Sequence, residues 1–154
     1  MTILILSLLI GVVAGLRAMT APAVVAWVAS YGGLSLAGTP LSFMGHVAAF
    51  WVFGVLALGE LVTDKLPKTP SRKVPVQFGT RIAMGALCGA TLSAPSGQVV
   101  VGAIVGAIGA VIGTLGGAAV RATMARAFGR DLPAALIEDA MAIAGAVAIV
   151  CLAR

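Results

Sequence analysis

The sequence predicts an all-α integral membrane protein of about five transmembrane helices, and three observations predict it. Of the 154 residues, 60% are hydrophobic, 10% are charged, and the mean hydropathy is +1.12. A soluble domain has about a quarter of its residues charged. A chain of this size could not cover so much apolar surface with its few polar groups in water. The apolar residues also fall into runs of roughly 20, which as helix match about 30 Å of hydrocarbon. Finally, the Lys and Arg residues gather at the ends of those runs. At roughly 20 residues per crossing plus loops, five or six spans fill the chain. It therefore reads as a single transmembrane domain, 1–154, with no room for a separate soluble domain.

The first segment covers residues 2–30. Fully helical, it would be about 43 Å long, so it is expected to tilt or kink. Pro22 is the expected breaking point, because it donates no hydrogen bond and leaves the Ala18 carbonyl free. Two short spans in place of one kinked span remain open. The N-terminal apolar stretch lacks a basic flank and reads as membrane structure, not as a cleaved leader.

A charge-free loop over 31–42 contains Gly32, Gly33, Gly38 and Pro40. The second segment is 43–62. The stretch DKLPKTPSRKVP follows, and its prolines and four basic residues make 65–75 an extended loop. The third segment is 76–94, and a Pro95-Ser96-Gly97-Gln98 turn leads into the fourth, 99–120. Arg121, Arg126 and Arg130 lie in an amphipathic continuation. Asp131 is expected to cap the fifth segment, 134–153, with Pro133 in its first turn.

The charge bias sets the orientation. Lys65, Lys68, Arg72 and Lys73 share one loop, and Arg121, Arg126 and Arg130 share another. The positive-inside rule puts both in the cytoplasm. Five spans then place the N-terminus inside and the C-terminus outside. A weak repeat relates Gly15-Leu16-Arg17 to Gly79-Thr80-Arg81, which suggests halves 1–64 and 76–154 joined by the 65–75 loop.

Several functions are disfavoured. The net charge is +5 with a pI near 10, but the basic residues form no face with interleaved aromatics, so nucleic acid is not expected. Cys88 and Cys151 lie in apolar runs and read as small hydrophobes. His46, alone, cannot anchor a metal site and reads as an interfacial histidine. No Ser-His-Asp set, metal-ligand cluster, phosphate loop or HExxH motif is present. An enzyme, a cofactor and a metal are not expected.

Two features could carry function. Gly102, Gly106, Gly109, Gly113 and Gly116 recur at 4-3-4-3 spacing, which puts them on one face of the fourth segment. Small residues let helix backbones approach closely in lipid, either within the chain or between copies in a homo-oligomer. The second feature is charge at membrane depth. Arg17, Glu60, Asp64, Arg81, Glu138 and Asp139 lie inside or at the cytoplasmic ends of apolar runs, and Arg17 sits near the middle of the first. Intramembrane charges cost roughly 3 kcal/mol on insertion scales and mark ion paths or paired contacts. The leading expectation is a small transporter or channel for an ion or small solute, with these six residues as its polar site. The alternative is a non-transporting scaffold or lipid-interacting subunit, in which the charges form structural ion pairs. Membrane lipids are expected partners in either case.

GLRAMTAPA in the first segment, GELVTDKLPKTPSR after the second, the glycine-rich fourth segment and ALIEDAMAIAGAVAIV in the last resemble the small bacterial membrane proteins of the domain of unknown function 4126 family. The likeness covers nearly the whole chain, and ELVTDKLPKTPSR and IEDA are its most specific parts. It implies a multi-span inner-membrane protein and carries over no activity or catalytic residue.

Overall fold

The computed structural model describes residues 1–64 and 74–153; the basic positions 65–73 of the expected loop and Arg154 lie outside the described residues. Six helices occur among the described residues: α1 (Thr2–Leu16), α2 (Thr20–Ser30), α3 (Val47–Thr63), α4 (Pro75–Ser93), α5 (Val99–Phe128) and α6 (Asp131–Leu152). Short 3-10 turns, Ser42–Gly45 and Ala94–Ser96, precede α3 and α5.

Residues 2–30 form two helices, and the break does not fall at Pro22. The chain leaves α1 at Arg17, which is extended at φ −139° and ψ 109°, and re-enters a helix at Thr20. Pro22 lies in the first turn of α2, where its missing N–H has no helical acceptor to serve. It starts the second helix and does not interrupt the first. α2 ends at Gly32, whose φ of 77° an L side chain would resist. There the N–H groups of Gly32 and Gly33 close on the carbonyls of Ala29 and Val28 at 3.2 and 2.9 Å, a Schellman end.

The fourth segment and its continuation are one helix of 30 residues, about 45 Å long. Gly129 ends it at φ 65°. Asp131 does not cap α6. The residue preceding the helix is Arg130, without a side-chain cap, and Asp131 is its first helical residue. His46 likewise precedes α3 and is not embedded in it.

α5 is the centre of the bundle and packs on α1, α4 and α6. Its glycines permit this. A Cβ at Gly102 or Gly106 would overlap backbone of Gly89 or Gly85 on α4; one at Gly109 or Gly113 would overlap the carbonyls of Leu8 or Val12 on α1. Gly11 and Gly15 on α1 face Gly106 and Ala110 of α5 in return. The seam thus serves two neighbours within the chain. Gly116 is different, because its side-chain position has open space.

These contacts fix helix directions. Leu8 meets Gly109 and Val12 meets Gly113, so α1 and α5 run parallel. Val13 lies beside Gly145, and Arg17 pairs with Asp139, so α1 and α6 run antiparallel. Thr2 and Leu152 therefore stand at the same end of the bundle. A five-span chain would place its ends on opposite sides, so this arrangement differs from the expected topology. α2 turns back toward that end: buried Val25 and Val28 share one core cluster with Leu6, Ile10, Leu92, Ala146 and Val150. α3 is the most peripheral helix. It packs on α2 and buries only Ala57.

α5 and α6 are long and apolar enough to cross a membrane; α1, α2 and α3 are shorter apolar helices.

Candidate functional site at the break between α1 and α2

The three residues between α1 and α2 expose backbone groups that a continuous helix would pair internally. Two charged side chains take them up. Arg81, six residues into α4, donates from Nη1 to the carbonyls of Gly15 and Leu16 at 2.9 and 2.7 Å. Glu60, near the end of α3, accepts from the Ala18 N–H at Oε1 and from the Met19 N–H at Oε2, both at 2.8 Å. The signs match the helix dipoles. The cation sits at the C-terminus of α1, and the anion sits at the N-terminus of α2. Arg81 Nη2 and Glu60 Oε1 are themselves 3.4 Å apart.

Arg17, inside the break, points its guanidinium at the end of α3 and at α6. Nη1 pairs with Asp64 Oδ2 just after α3, and Nη2 pairs with Asp139 Oδ1 on α6. Arg17 is 0% exposed and Arg81 is 1% exposed. The acids around them keep only slight exposure. Two buried polar atoms next to the break have no hydrogen-bond partner among the described residues: Arg17 Nε and Thr20 Oγ1.

Five of the six expected site residues thus meet here: Arg17, Glu60, Asp64, Arg81 and Asp139. Their pairing has a definite order. Glu60 does not pair with Arg17; it holds backbone and faces Arg81. Glu138 is one residue from Asp139 but points elsewhere, since adjacent helix positions differ by about 100°. It pairs with Arg121 of α5 at 3.2 Å. Arg121 also binds Asp131 through Nε at 3.0 Å and Nη2 at 2.6 Å. This second cluster joins the ends of α5 and α6.

Sequence reasoning missed Arg121 as a site residue. A signal was present, because Gly113, Gly117 and Arg121 continue one face of α5 at four-residue spacing. It also missed Thr114, whose hydroxyl donates to the Gly15 carbonyl at 3.2 Å. The two Gly-x-Arg motifs deliver both arginines to the break but have unlike surroundings. Gly15 is packed against Ala110 and Thr114, while Gly79 has open space.

A groove of about 230 Å³ lies between α1, α5 and α6. Val12, Leu16, Ile112, Ile137 and Met141 line it, with Arg121 and Glu138. Gly116 opens onto it, which explains the space at that residue.

No curated protein and no solved structure matches the chain. A family model does match, over residues 4–153, and its description is Domain of unknown function (DUF4126). With that match running nearly end to end, from the α1–α2 hairpin through the acidic start of α6, the chain belongs to this family.

Proposed function

We propose that the chain is a multi-span inner-membrane protein that passes an ion or small solute at the α1–α2 break. One observation carries this reading. Buried charges from α3, α4 and α6 converge on unwound backbone and on Arg17 within it. Non-helical backbone at membrane depth is tolerated only inside protein or along a cavity, and broken helices of this kind serve transporters as binding sites.

The surface supports a membrane setting. Trp51, Val55 and Leu58 of α3, Ile104, Ile108 and Ile112 of α5, and Leu136 and Met141 of α6 are large, apolar and exposed. Water would disfavour so extended an apolar surface; lipid would not. In that setting α1, about 22 Å long, is too short to cross. α1 and α2 become a re-entrant hairpin with Arg17 at its tip, and α3 to α6 make four crossings. The basic positions 65–73 and the stretch from Arg121 to Arg130 then face the cytoplasm. Both termini face outward.

A second reading has its own support. The buried arginines are engaged by carboxylates and carbonyls of the same chain, as in a scaffold or lipid-interacting subunit. Flux across proteoliposomes separates the two. The transport reading expects uptake of at least one member of a panel of ions and small anions, with loss in Arg17→Met. Absence of flux for the whole panel, from protein that melts cooperatively, would leave the scaffold.

A further inference from the structure

We propose that the groove between α1, α5 and α6 binds one acyl chain of an aminophospholipid from the cytoplasmic leaflet, with Arg121, Asp131 and Glu138 meeting its phosphoethanolamine headgroup. The proposal rests on the membrane setting and orientation given above, and not on transport.

The groove has the shape of a lipid tail. It follows α5 from Ile112 to Met124, a rise of about 18 Å, close to the depth of one leaflet in about 30 Å of hydrocarbon. A partner helix is about 10–12 Å wide with its side chains, too wide for a slot of about 230 Å³. Gly116 makes the room. At Gly102, Gly106, Gly109 and Gly113 a neighbouring helix needs the space, whereas no atom of the described residues lies within 4 Å of a Cβ position at Gly116. A glycine inside a helix costs about 1 kcal/mol relative to alanine. No contact within the described chain offsets that cost at Gly116, and an occupant of the groove does. An alkyl chain in the slot touches walls on several sides, so it gains more dispersion contacts than a lipid lying on an outer helix face.

The charges at one end of the groove select the headgroup. Arg121 and Glu138 line it there, and Arg121 holds Asp131 through two nitrogens and Glu138 through the third. Among these three groups two carboxylates face one guanidinium, so the charge is net negative. Asp131 keeps 60% of its side chain exposed. A headgroup that brings only a phosphate is disfavoured beside it, and one that also carries an ammonium is favoured. The ammonium of phosphoethanolamine meets the Asp131 carboxylate. Its phosphate meets the guanidinium of Arg121, whose planar fork suits phosphate oxygens. The placement is consistent with depth: the charged end lies where α5 leaves the membrane on the cytoplasmic side, and the apolar slot runs inward from it. Charged pockets between helices at that level recognise lipid headgroups.

The test is lipid retention by the full-length protein, measured by mass spectrometry of the intact complex released from a short-chain detergent. The probes are phosphatidylethanolamine and phosphatidylglycerol with the same acyl chains. The expected result is one retained phosphatidylethanolamine, bound about threefold more tightly than phosphatidylglycerol, the scale of an exposed ion pair. Asp131→Asn should remove that preference and keep the lipid. Gly116→Leu fills the slot and should weaken both lipids about tenfold, the scale of overpacking, while melting like the wild type. Wild-type protein is also irradiated with a phosphatidylethanolamine that carries a diazirine in its chain. Adducts should fall on Ile112, Met124, Ile137 or Met141 and diminish under excess unlabelled lipid. Unchanged retention in folded Gly116→Leu, an equal or reversed headgroup preference, or adducts confined to the exposed Ile104 and Ile108 would each overturn the proposal. A dimer that becomes a monomer in Gly116→Leu would put a second copy in the groove and overturn it as well. Release of the protein from native membranes by alkaline carbonate would remove the membrane setting and the proposal together, whereas a retained protein without groove adducts removes the proposal alone.

Discussion

Arg81 and Glu60 hold opposite sides of one helix break, the arginine on its freed carbonyls and the glutamate on its freed N–H groups, and they meet 3.4 Å apart. The pair couples α3 and α4 to the tip of the α1–α2 hairpin. The backbone polar groups freed at the break are therefore satisfied from two other helices.

Removing Arg81 should be severe. Arg81→Met leaves the Leu16 carbonyl without its buried donor, the Gly15 carbonyl with the Thr114 hydroxyl alone, and Glu60 without its cation. The expected loss is about 3–5 kcal/mol, the range for breaking one side of a buried charged contact. Arg81→Lys should recover only part of it, because a single ammonium cannot reproduce the planar fork that reaches two carbonyls and a carboxylate. Thermal melts in one detergent would check both. Equal stability of the Lys variant and wild type would show that charge alone suffices.

The positions of the charges in this site were legible in the sequence, and their partners were not. Five expected residues converge because a charge in an apolar run has few places to go. Which acid meets which arginine depends on helix rotation. Glu138 and Asp139 are neighbours in sequence, yet one meets Arg121 and the other Arg17. The break was legible only to within a few residues. Pro22 marks a helix start, and the chain actually opens at Arg17, where Arg81 and Glu60 compensate the loss of helical bonds. The direction of α1 was not legible at all. Length and charge bias do not give that direction, whereas the contacts of Val12 with Gly113 and Val13 with Gly145 set it relative to α5 and α6.

The glycine seam gives a paired prediction. Gly109→Leu would drive a side chain into the Leu8 carbonyl and force α1 from α5. Loss of that close packing should cost several kcal/mol, the scale of severe overpacking. Gly116→Leu meets open groove and should change stability by less than about 1 kcal/mol, with some gain from relief of backbone freedom in a helix. If both variants melt alike, close approach at Gly109 is not what holds α1 to α5.

Topology provides a third test. α1 and α6 run antiparallel, so both chain ends should report the same side of the membrane. Fusions of an enzyme active only in the periplasm should be active at each terminus and inactive when inserted at 65–73. An active fusion at one terminus only would restore a five-crossing chain and contradict the hairpin.

The last prediction concerns Arg17 and separates structural pairing from a wet site. Arg17 stands between Asp64 and Asp139 and is fully buried. If the cluster is dry, Arg17→Met leaves two carboxylates facing one another across a space that held a cation. Their mutual repulsion is then uncompensated, and stability should fall by about 3–5 kcal/mol. Neutralising both acids as well, in Arg17→Met with Asp64→Asn and Asp139→Asn, should return most of that loss. Adding Glu60→Gln instead should not, because Glu60 is bound to the Ala18 and Met19 N–H groups and not to Arg17. If water reaches the cluster, the single variant should melt within about 1 kcal/mol of wild type, since solvated charges at a wet site interact weakly. Flux should nevertheless disappear. Melting of the single, double and triple variants in one detergent, beside flux in proteoliposomes, distinguishes the cases. A large loss repaired by the triple change, with flux intact in the triple variant, would make the arginine a structural tie and end its role in transport.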